Sequence, residues 1–346
     1  MADERIRVAV LMGGRSGEHD VSRASGWAVL TQLPAAQFDA FPVVLGRDGA
    51  WHFPSLEDAD PERGDLAGPG RALPEGLREL LDREPAAAFI AMHGPEGEDG
   101  RLQSLFELVG LPFTGSGADA SSLAMNKPVA KAVYRAHGIP VAADLEVARA
   151  DWEADPSAVL ARIREAFAPP WVLKTPRLGS SVGLDIVPAD GDLEGTVGRL
   201  MALDQTLLVE AFVAGRELTC GVLDAPAFGP LRALPVLEIT PVESGFFDYH
   251  AKYTPGAARE VCPAPIPDLL SDQVQELGLR SHRALGCRGF SRTDFIYGEQ
   301  GLVTLETNTI PGLTRTSLLP QQAAADGLSF ADLVAGMVLG ALGRER

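Results

Sequence analysis

Two apolar stretches, Phe290 to Tyr297 and Leu302 to Glu306, are joined by the turn Gly298-Glu-Gln-Gly301 and read as neighbouring strands. Arg292 and Asp294 lie two residues apart, as do Glu306 and Asn308, so each pair projects from one face of its strand. Four polar groups therefore converge. Two carboxylates and an amide form an all-oxygen donor set, suited to Mg²⁺ shared with nucleotide phosphates rather than to zinc or copper. A solvated hairpin face is the alternative, but it requires neither the following Ile310-Pro-Gly-Leu-Thr314 turn nor apolar flanks such as Phe295, Ile296, Val303 and Leu305.

At 346 residues the chain has room for two or three domains, each with its own core. Hydrophobic content of 46% and charged content of 22% are ordinary for a globular protein. A net charge of −17 argues against nucleic acid or an anionic membrane surface as partner. Any anionic ligand must meet locally gathered positive charge. No apolar run is long enough to span a bilayer, and Met1-Ala-Asp-Glu-Arg-Ile-Arg-Val leads into a strand rather than a signal peptide, which predicts a cytoplasmic protein. Cys220, Cys262 and Cys287 are odd in number and widely spaced, so they read as reduced, mostly buried thiols without a catalytic role.

Strands and helices alternate along the first third: a strand at Arg7 to Met12, a helix from about Ser25 to Leu33, strands at Phe41 to Leu45 and Ala88 to Met92, and a helix from Leu102 to Val109. This is α/β with a largely parallel sheet. Pro54 to Glu75, rich in Pro, Gly and acidic residues, reads as an exposed loop. Met125 to His137 reads as one helix stopped by Gly138-Ile-Pro140. Further strands are predicted at Trp171 to Lys174, Val182 to Val187, Thr206 to Ala211 and Leu218 to Val222, with helices near Leu193 to Leu203 and Phe330 to Leu342. The division is 1–124, 125–215 and 216–346.

Gly13-Gly-Arg-Ser-Gly-Glu18 follows the first strand, where doubly wound sheets place ligands. A dinucleotide site fits poorly, because the spacing is not GxGxxG and Glu18 would face a pyrophosphate; a carboxylate there suits an ammonium. Asp99 and Gly100 read as caps for the next helix. Lys174 ends an apolar run and precedes Arg177-Leu-Gly-Ser-Ser-Val-Gly183, a small-residue loop whose backbone N–H groups can approach phosphate.

In their shared order these motifs resemble the D-alanine:D-alanine ligase family, ATP-grasp enzymes with an N-terminal Rossmann-like parallel-sheet domain. The matched motifs run from Val8 to about Leu333. The resemblance implies that Asp294, Glu306 and Asn308 hold two Mg²⁺ (or Mn²⁺) ions on ATP. It implies that Arg292 and the Gly312 N–H stabilise an oxyanion. By the same match Glu18 holds the ammonium of the first D-alanine, and His93 borders that site. Ser317 and Leu318 form the subsite for the second carboxylate. Lys127, Lys174, Ser181 and Lys252 approach ATP phosphates, Glu210 and Val213 line the adenine pocket, and Glu217 binds the ribose. Tyr253 closes over the site and bonds with Ser180. The implied product is D-alanyl-D-alanine for peptidoglycan precursors, made in the cytoplasm by a homodimer without nucleic-acid or membrane partners.

Departures from the family pattern fall at Asp20, Ser104, Asn126 and Thr175. Tyr253, where lactate-using relatives commonly carry histidine, favours an amine acceptor, since tyrosine stays neutral at working pH. Other readings are a D-lactate or D-serine ligase, a peptide ligase of secondary metabolism, an oxidoreductase using the first Gly-rich turn, and an ATP-binding regulator without turnover.

Overall fold

The computed structural model describes residues 5–64, 66, 68–177, 183–241 and 258–343. The first sheet contains β1 (Ile6–Gly13), β2 (Phe38–Leu45), β3 (Trp51–His52) and β4 (Ala87–Ile90), in the order β3-β2-β1-β4. β1 pairs in parallel with both β2 and β4, and β3 adds an antiparallel edge. Because β1 is central and covered on both faces, its residues alternate between two cores. Val8, Val10 and Met12 pack with Val29, Val334, Met337 and Val338, whereas Ala9 and Leu11 pack with Trp51, Leu80 and Phe106. Each large apolar side chain removed from water here contributes about 1.5–3 kcal/mol. The helix Phe330–Leu342 thus covers a sheet made at the opposite end of the chain. Among the described residues, no single helix is long and apolar enough to cross a membrane.

The second sheet contains β5 (Asp144–Ala148), β6 (Trp171–Lys174), β7 (Leu184–Val187) and β8 (Thr206–Ala211), in the order β5-β8-β6-β7. The helices Pro156–Ala166 and Leu193–Met201 bury Val159, Ile163, Val197 and Leu200 against it. The third sheet contains β9 (Gly215–Asp224), β10 (Arg232–Ala233), β11 (Leu237–Pro241), β12 (Ala258–Val261), β13 (Gly289–Gly298) and β14 (Gly301–Asn308). Its order is β12-β11-β9-β13-β14, with β10 on β9. The helices Lys127–Ala136 and Asp268–Ala284 pack against it through Ala130, Tyr134, Val274 and Leu277.

Among the described strands, parallel strand pairing is found in the first sheet, where it was expected; β14 adds one isolated parallel bridge, Thr304 to Val141. All strand pairs in the other two sheets are antiparallel. The connection explains the pairing at the hairpin: β13 and β14 are joined by a tight turn, which cannot hold a crossover helix.

Several boundaries differ from expectation. The first helix begins at His19, so Ser22 and Ser25 lie on it. The helix expected over Met125 to His137 is two helices, Ala118–Met125 and Lys127–Ala136, meeting at Asn126. Pro128 is the cause: it has no N–H, and its ring would clash with the carbonyl of Ala124 in a continuous helix. The excursion from Pro54 contains a 3₁₀ turn at Pro61–Arg63, and the helix Leu73–Asp82 begins within it. Ser104 is exposed and so leaves helix packing unaffected. Cys220 and Cys287 are buried and Cys262 is partly buried; burial pushes the first two thiols up to about 12 and Cys262 up to about 11.

Candidate active site

The β13–β14 register sets Asp294 directly opposite Glu306 and Arg292 opposite Asn308. The hairpin therefore presents four polar groups as one patch, as their spacing predicts. Like charges directly opposed across a ladder repel, so this pair needs cations. Arg292 supplies one: its Nε donates to Asp294 Oδ1 at 2.9 Å and a terminal nitrogen donates to Oδ2 at 2.8 Å. Lys127 supplies the other, with Nζ 3.2 Å from Glu306 Oε2. Burial alone would make the Arg292 cation easier to deprotonate, but Asp294, Glu306 and Glu98 outweigh it and hold the guanidinium charged.

Asp294 is fixed from two further sides. Thr219 Oγ1, across the sheet on β9, donates to Oδ1 at 2.6 Å, and Asn308 Nδ2 donates to Oδ2 at 3.2 Å. On the opposite, buried face, Tyr134 donates to Thr307 Oγ1 at 2.7 Å, and Thr307 contacts Thr293 Oγ1 at 2.8 Å. The polar ladder pins the helix Lys127–Ala136, and with it Lys127, to the hairpin.

Lys174 ends β6 and is 9% exposed, with Nζ 2.6 Å from Glu210 Oε2 on neighbouring β8. Lys131 pairs with the other oxygen of Glu210 and lies 3.1 Å from Asp144, which Arg135 also engages. Burial opposes the charge on all three central groups. At Glu210 the two lysines win and hold the carboxyl at about 2. At Lys174 burial is outweighed by Glu210, with help from Glu306 and Glu217, and the ammonium is held more firmly. At Lys131 burial prevails and its affinity for the proton falls. Glu306, on the hairpin, adds to the negative field that holds the Lys174 proton. Glu217 lies on β9 opposite Ile239 and Ile296, and Val213 lies in the link between β8 and β9.

The loop after β1 is held by close backbone approach. Gly13 has φ +87°, and a Cβ there would sit 2.3 Å from the Leu45 carbonyl oxygen. Glu18 is buried immediately before the first helix, and its N–H donates to Ser16 Oγ at 3.2 Å. Ser16 Oγ in turn donates to the His93 carbonyl at 2.7 Å, joining this loop to the one after β4. Asp20 lies outside the cluster, paired with Arg47 at the surface. Glu98 Oε2 accepts from the Gly94 N–H at 2.9 Å, and Oε1 lies 3.9 Å from His93 Nδ1. Burial would lower the His93 pKa, but Glu98, Glu18 and the Ile310 carbonyl raise it above its ordinary value. The expected cap is present: Asp99 accepts from the Arg101 N–H, and Gly100 turns the chain at φ +90°.

His93 reaches across to the segment after the hairpin, where Nδ1 donates to the Ile310 carbonyl at 3.1 Å. Gly312 follows, and a Cβ there would sit 2.8 Å from Ser317 Oγ. Ser317 Oγ accepts from the Thr314 N–H at 3.1 Å. Leu318, the first residue of the helix Leu318–Ala325, buries its side chain with Leu237 and Ile239, so only its backbone faces outward at the helix N-terminus.

The described residues thus bring His93 against Ile310, with Glu18 in the loop that Ser16 ties to the His93 carbonyl, and Lys127 against Glu306, while Lys174 and Glu210 pair at the edge of the second sheet. Ser180, Ser181, Lys252 and Tyr253 lie outside the described residues. Sequence reasoning missed Ser25, Lys131 and Thr219, and gave Glu98 only a structural role at the start of the next helix. Lys131 alone carried a signal, recurring four residues after Lys127 on one helix face.

This arrangement has close relatives. The sequence model of the D-ala D-ala ligase N-terminus matches residues 7–116, and that of the D-ala D-ala ligase C-terminus matches residues 133–339. The chain is 41% identical over 338 residues to the D-alanine–D-alanine ligase of Geobacter sulfurreducens, covering 97% of this chain and 94% of that relative. It is 38% identical to the D-alanine–D-alanine ligase of Deinococcus radiodurans, covering 96% and 97%. Among solved structures, the D-alanine–D-alanine ligase of Coxiella burnetii superposes with a TM-score of 0.80 at 27% identity, over 98% of this chain and 94% of that one. The VanG D-Ala:D-Ser ligase of Enterococcus faecalis superposes with a TM-score of 0.79 at 30% identity, over 96% and 98%. This chain belongs to the D-alanine–D-alanine ligase family, with the ATP-grasp fold.

Proposed function

We propose that this protein ligates two D-alanine molecules at the expense of ATP, making D-alanyl-D-alanine for peptidoglycan precursors. The observation that carries the reading is the opposed pair Asp294 and Glu306, flanked by Arg292, Lys127 and Lys174. Among the described residues no three His, Cys, Asp or Glu side chains cluster as a metal site, but the donor set here includes an asparagine. Two carboxylates and an amide oxygen fit a hard divalent cation, and their opposition across the ladder calls for positive charge. Asp294, Glu306 and Asn308 would hold Mg²⁺ or Mn²⁺, which would offset negative charge on the ATP phosphates.

Lys174, on the second sheet, and Lys127, on the helix packed against the third, approach those phosphates, with Glu210 and Val213 at the adenine and Glu217 at the ribose. Glu18 holds the ammonium of the first D-alanine and leaves its carboxylate free to take the γ-phosphoryl group, giving an acyl phosphate and ADP. The neutral amine of the second D-alanine, its carboxylate at Ser317 and the Leu318 N–H, then attacks the acyl carbon. Arg292 and the Gly312 N–H bind the tetrahedral oxyanion. Collapse expels phosphate and leaves the peptide bond. Ser180, Ser181, Lys252 and Tyr253 complete this assignment as the closing side of the site. The reading further assigns a cytoplasmic homodimer divided at 1–124, 125–215 and 216–346.

Similarity to a D-Ala:D-Ser ligase supports a second reading, in which D-serine is the acceptor. Phosphate release with D-alanine alone, and with D-alanine plus D-serine or D-lactate, tests both when the products are identified by mass. D-Alanyl-D-alanine should predominate; a predominant D-alanyl-D-serine product would select the second reading.

Glu18→Gln should raise the D-alanine requirement about 10–100-fold, the equivalent of about 1.5–3 kcal/mol for a hydrogen bond to a charged group. The ATP requirement should stay within about twofold. Initial rates titrated separately in each substrate check this; a selective loss of ATP affinity would reassign the first loop to nucleotide.

A further inference from the structure

Ser25 takes part in no step of the proposed reaction, yet it is fully buried where the first domain's helix meets the segment after the hairpin. The Leu313 N–H donates to Ser25 Oγ at 3.3 Å, and the same oxygen lies 2.8 Å from His93 Nε2. His93 Nδ1 donates to the Ile310 carbonyl at 3.1 Å. A carbonyl can only accept, so Nδ1 carries a proton. In the neutral ring Nε2 then accepts from the Ser25 hydroxyl, whose lone pair accepts from Leu313. The bonds form a closed bracket from Leu313 through Ser25 and His93 to Ile310. Gly312 lies inside it, between the two anchored residues.

We propose that Ser25, acting with His93, is a positioning residue that aims the Gly312 N–H at the developing oxyanion. The inference rests on the role given to Gly312 above. The two bonds hold the Ile310–Pro311 and Gly312–Leu313 peptides; the Pro311–Gly312 peptide, which carries the Gly312 N–H, lies between them and has little freedom to turn because the Pro311 ring fixes φ. An amide that acts only on transition-state charge needs its direction set before the reaction. Ser22, three residues earlier on the same helix face, supplies the contrast. Its hydroxyl donates to the Ala91 carbonyl at 2.8 Å and accepts from the Gly13 N–H at 2.9 Å, so it braces the Glu18 loop instead.

The test is Ser25→Ala in the full chain, with kinetics and with binding of a tetrahedral phosphinate analogue of the dipeptide. Expected is a kcat lowered by about 10–100-fold, somewhat less than outright loss of an oxyanion donor. KM values for ATP and D-alanine should stay within about twofold, and phosphinate affinity should fall by the same factor as kcat/KM. Ser22→Ala should instead raise the D-alanine KM without a selective loss of phosphinate affinity. His93→Gln cuts the other arm and should reproduce the Ser25→Ala signature, which keeps the proposal testable if Ser25→Ala fails to fold. Unchanged kcat and phosphinate affinity in a folded variant would overturn it. So would a parallel fall in every affinity together with the unfolding temperature, or a His93→Gln effect confined to the D-alanine KM. An unmodified protein that forms no dipeptide would instead remove the function proposed above.

Discussion

Glu306→Gln should lower turnover by about a thousandfold or more while leaving the fold intact. A neutral amide removes one of the two negative ligands that the proposed cation pair requires, and it does so where nucleotide phosphates compete for the same charge. Stability should change by less than about 1 kcal/mol. Glu306 pairs with Lys127 but is 28% exposed in its side chain, and pairs of that kind contribute about 0–1 kcal/mol. Removing its charge also relieves repulsion with Asp294 directly opposite, which works in the other direction. Steady-state rates across a Mg²⁺ titration, with urea unfolding of the same preparation, separate the two effects. Near-normal ligation at saturating Mg²⁺ would show that the metal assignment is wrong.

Glu210→Gln is expected to do the reverse, costing about 3–5 kcal/mol of stability because it leaves Lys174 and Lys131 buried around a neutral group. Glu210 is 5% exposed, so solvent cannot replace the lost carboxylate. The pH dependence has a definite sign. Its folded pKa of about 2 lies below the unfolded carboxylate value of about 4.3. The stabilisation is therefore complete above about pH 4.3 and is lost as pH falls from there through about 2. Urea midpoints measured at pH 7 and at pH 3 should show a smaller gap between the unmodified protein and Glu210→Gln at the lower pH. Equal stability at pH 7 would mean that the two lysines find other partners and that Glu210 does not organise them.

What could be read from the sequence depended on how local each feature is. The hairpin was legible because a two-residue period and a four-residue turn specify both faces without reference to the rest of the chain. β1 was legible for a related reason, as a continuous apolar run flanked by a Gly-Gly turn. The break at Asn126 was readable in principle, since Pro128 marks it, but the apolar pattern on either side masked the interruption. Apart from that hairpin, the pairing within the second and third sheets was not legible, because strand order is set by packing rather than by the strands themselves. The 17-residue helix Asp268–Ala284 and the strands β11 and β12 went unrecognised among sequence without a strong motif.

Within the candidate site, the residues missed were those whose partners are remote. Ser25 meets Leu313 across 288 positions, and Thr219 meets Asp294 across 75. Nothing near either residue announces the contact. Lys131 failed for a different reason: lysine is ordinarily solvated, and only the fold shows that its ammonium is enclosed between Glu210 and Asp144.

The central claim is that the first D-alanine's carboxylate is phosphorylated and then attacked by an amine. It is tested most directly with D-alanine labelled with ¹⁸O in the carboxylate, incubated with ATP and Mg²⁺, with both products analysed by mass. Phosphoryl transfer to a carboxylate oxygen followed by loss of phosphate carries one carboxylate oxygen into the phosphate. ADP should therefore appear with singly ¹⁸O-labelled phosphate and D-alanyl-D-alanine that lacks one label from its donor residue. Release of pyrophosphate and AMP, or dipeptide formed with unlabelled phosphate, would contradict the account.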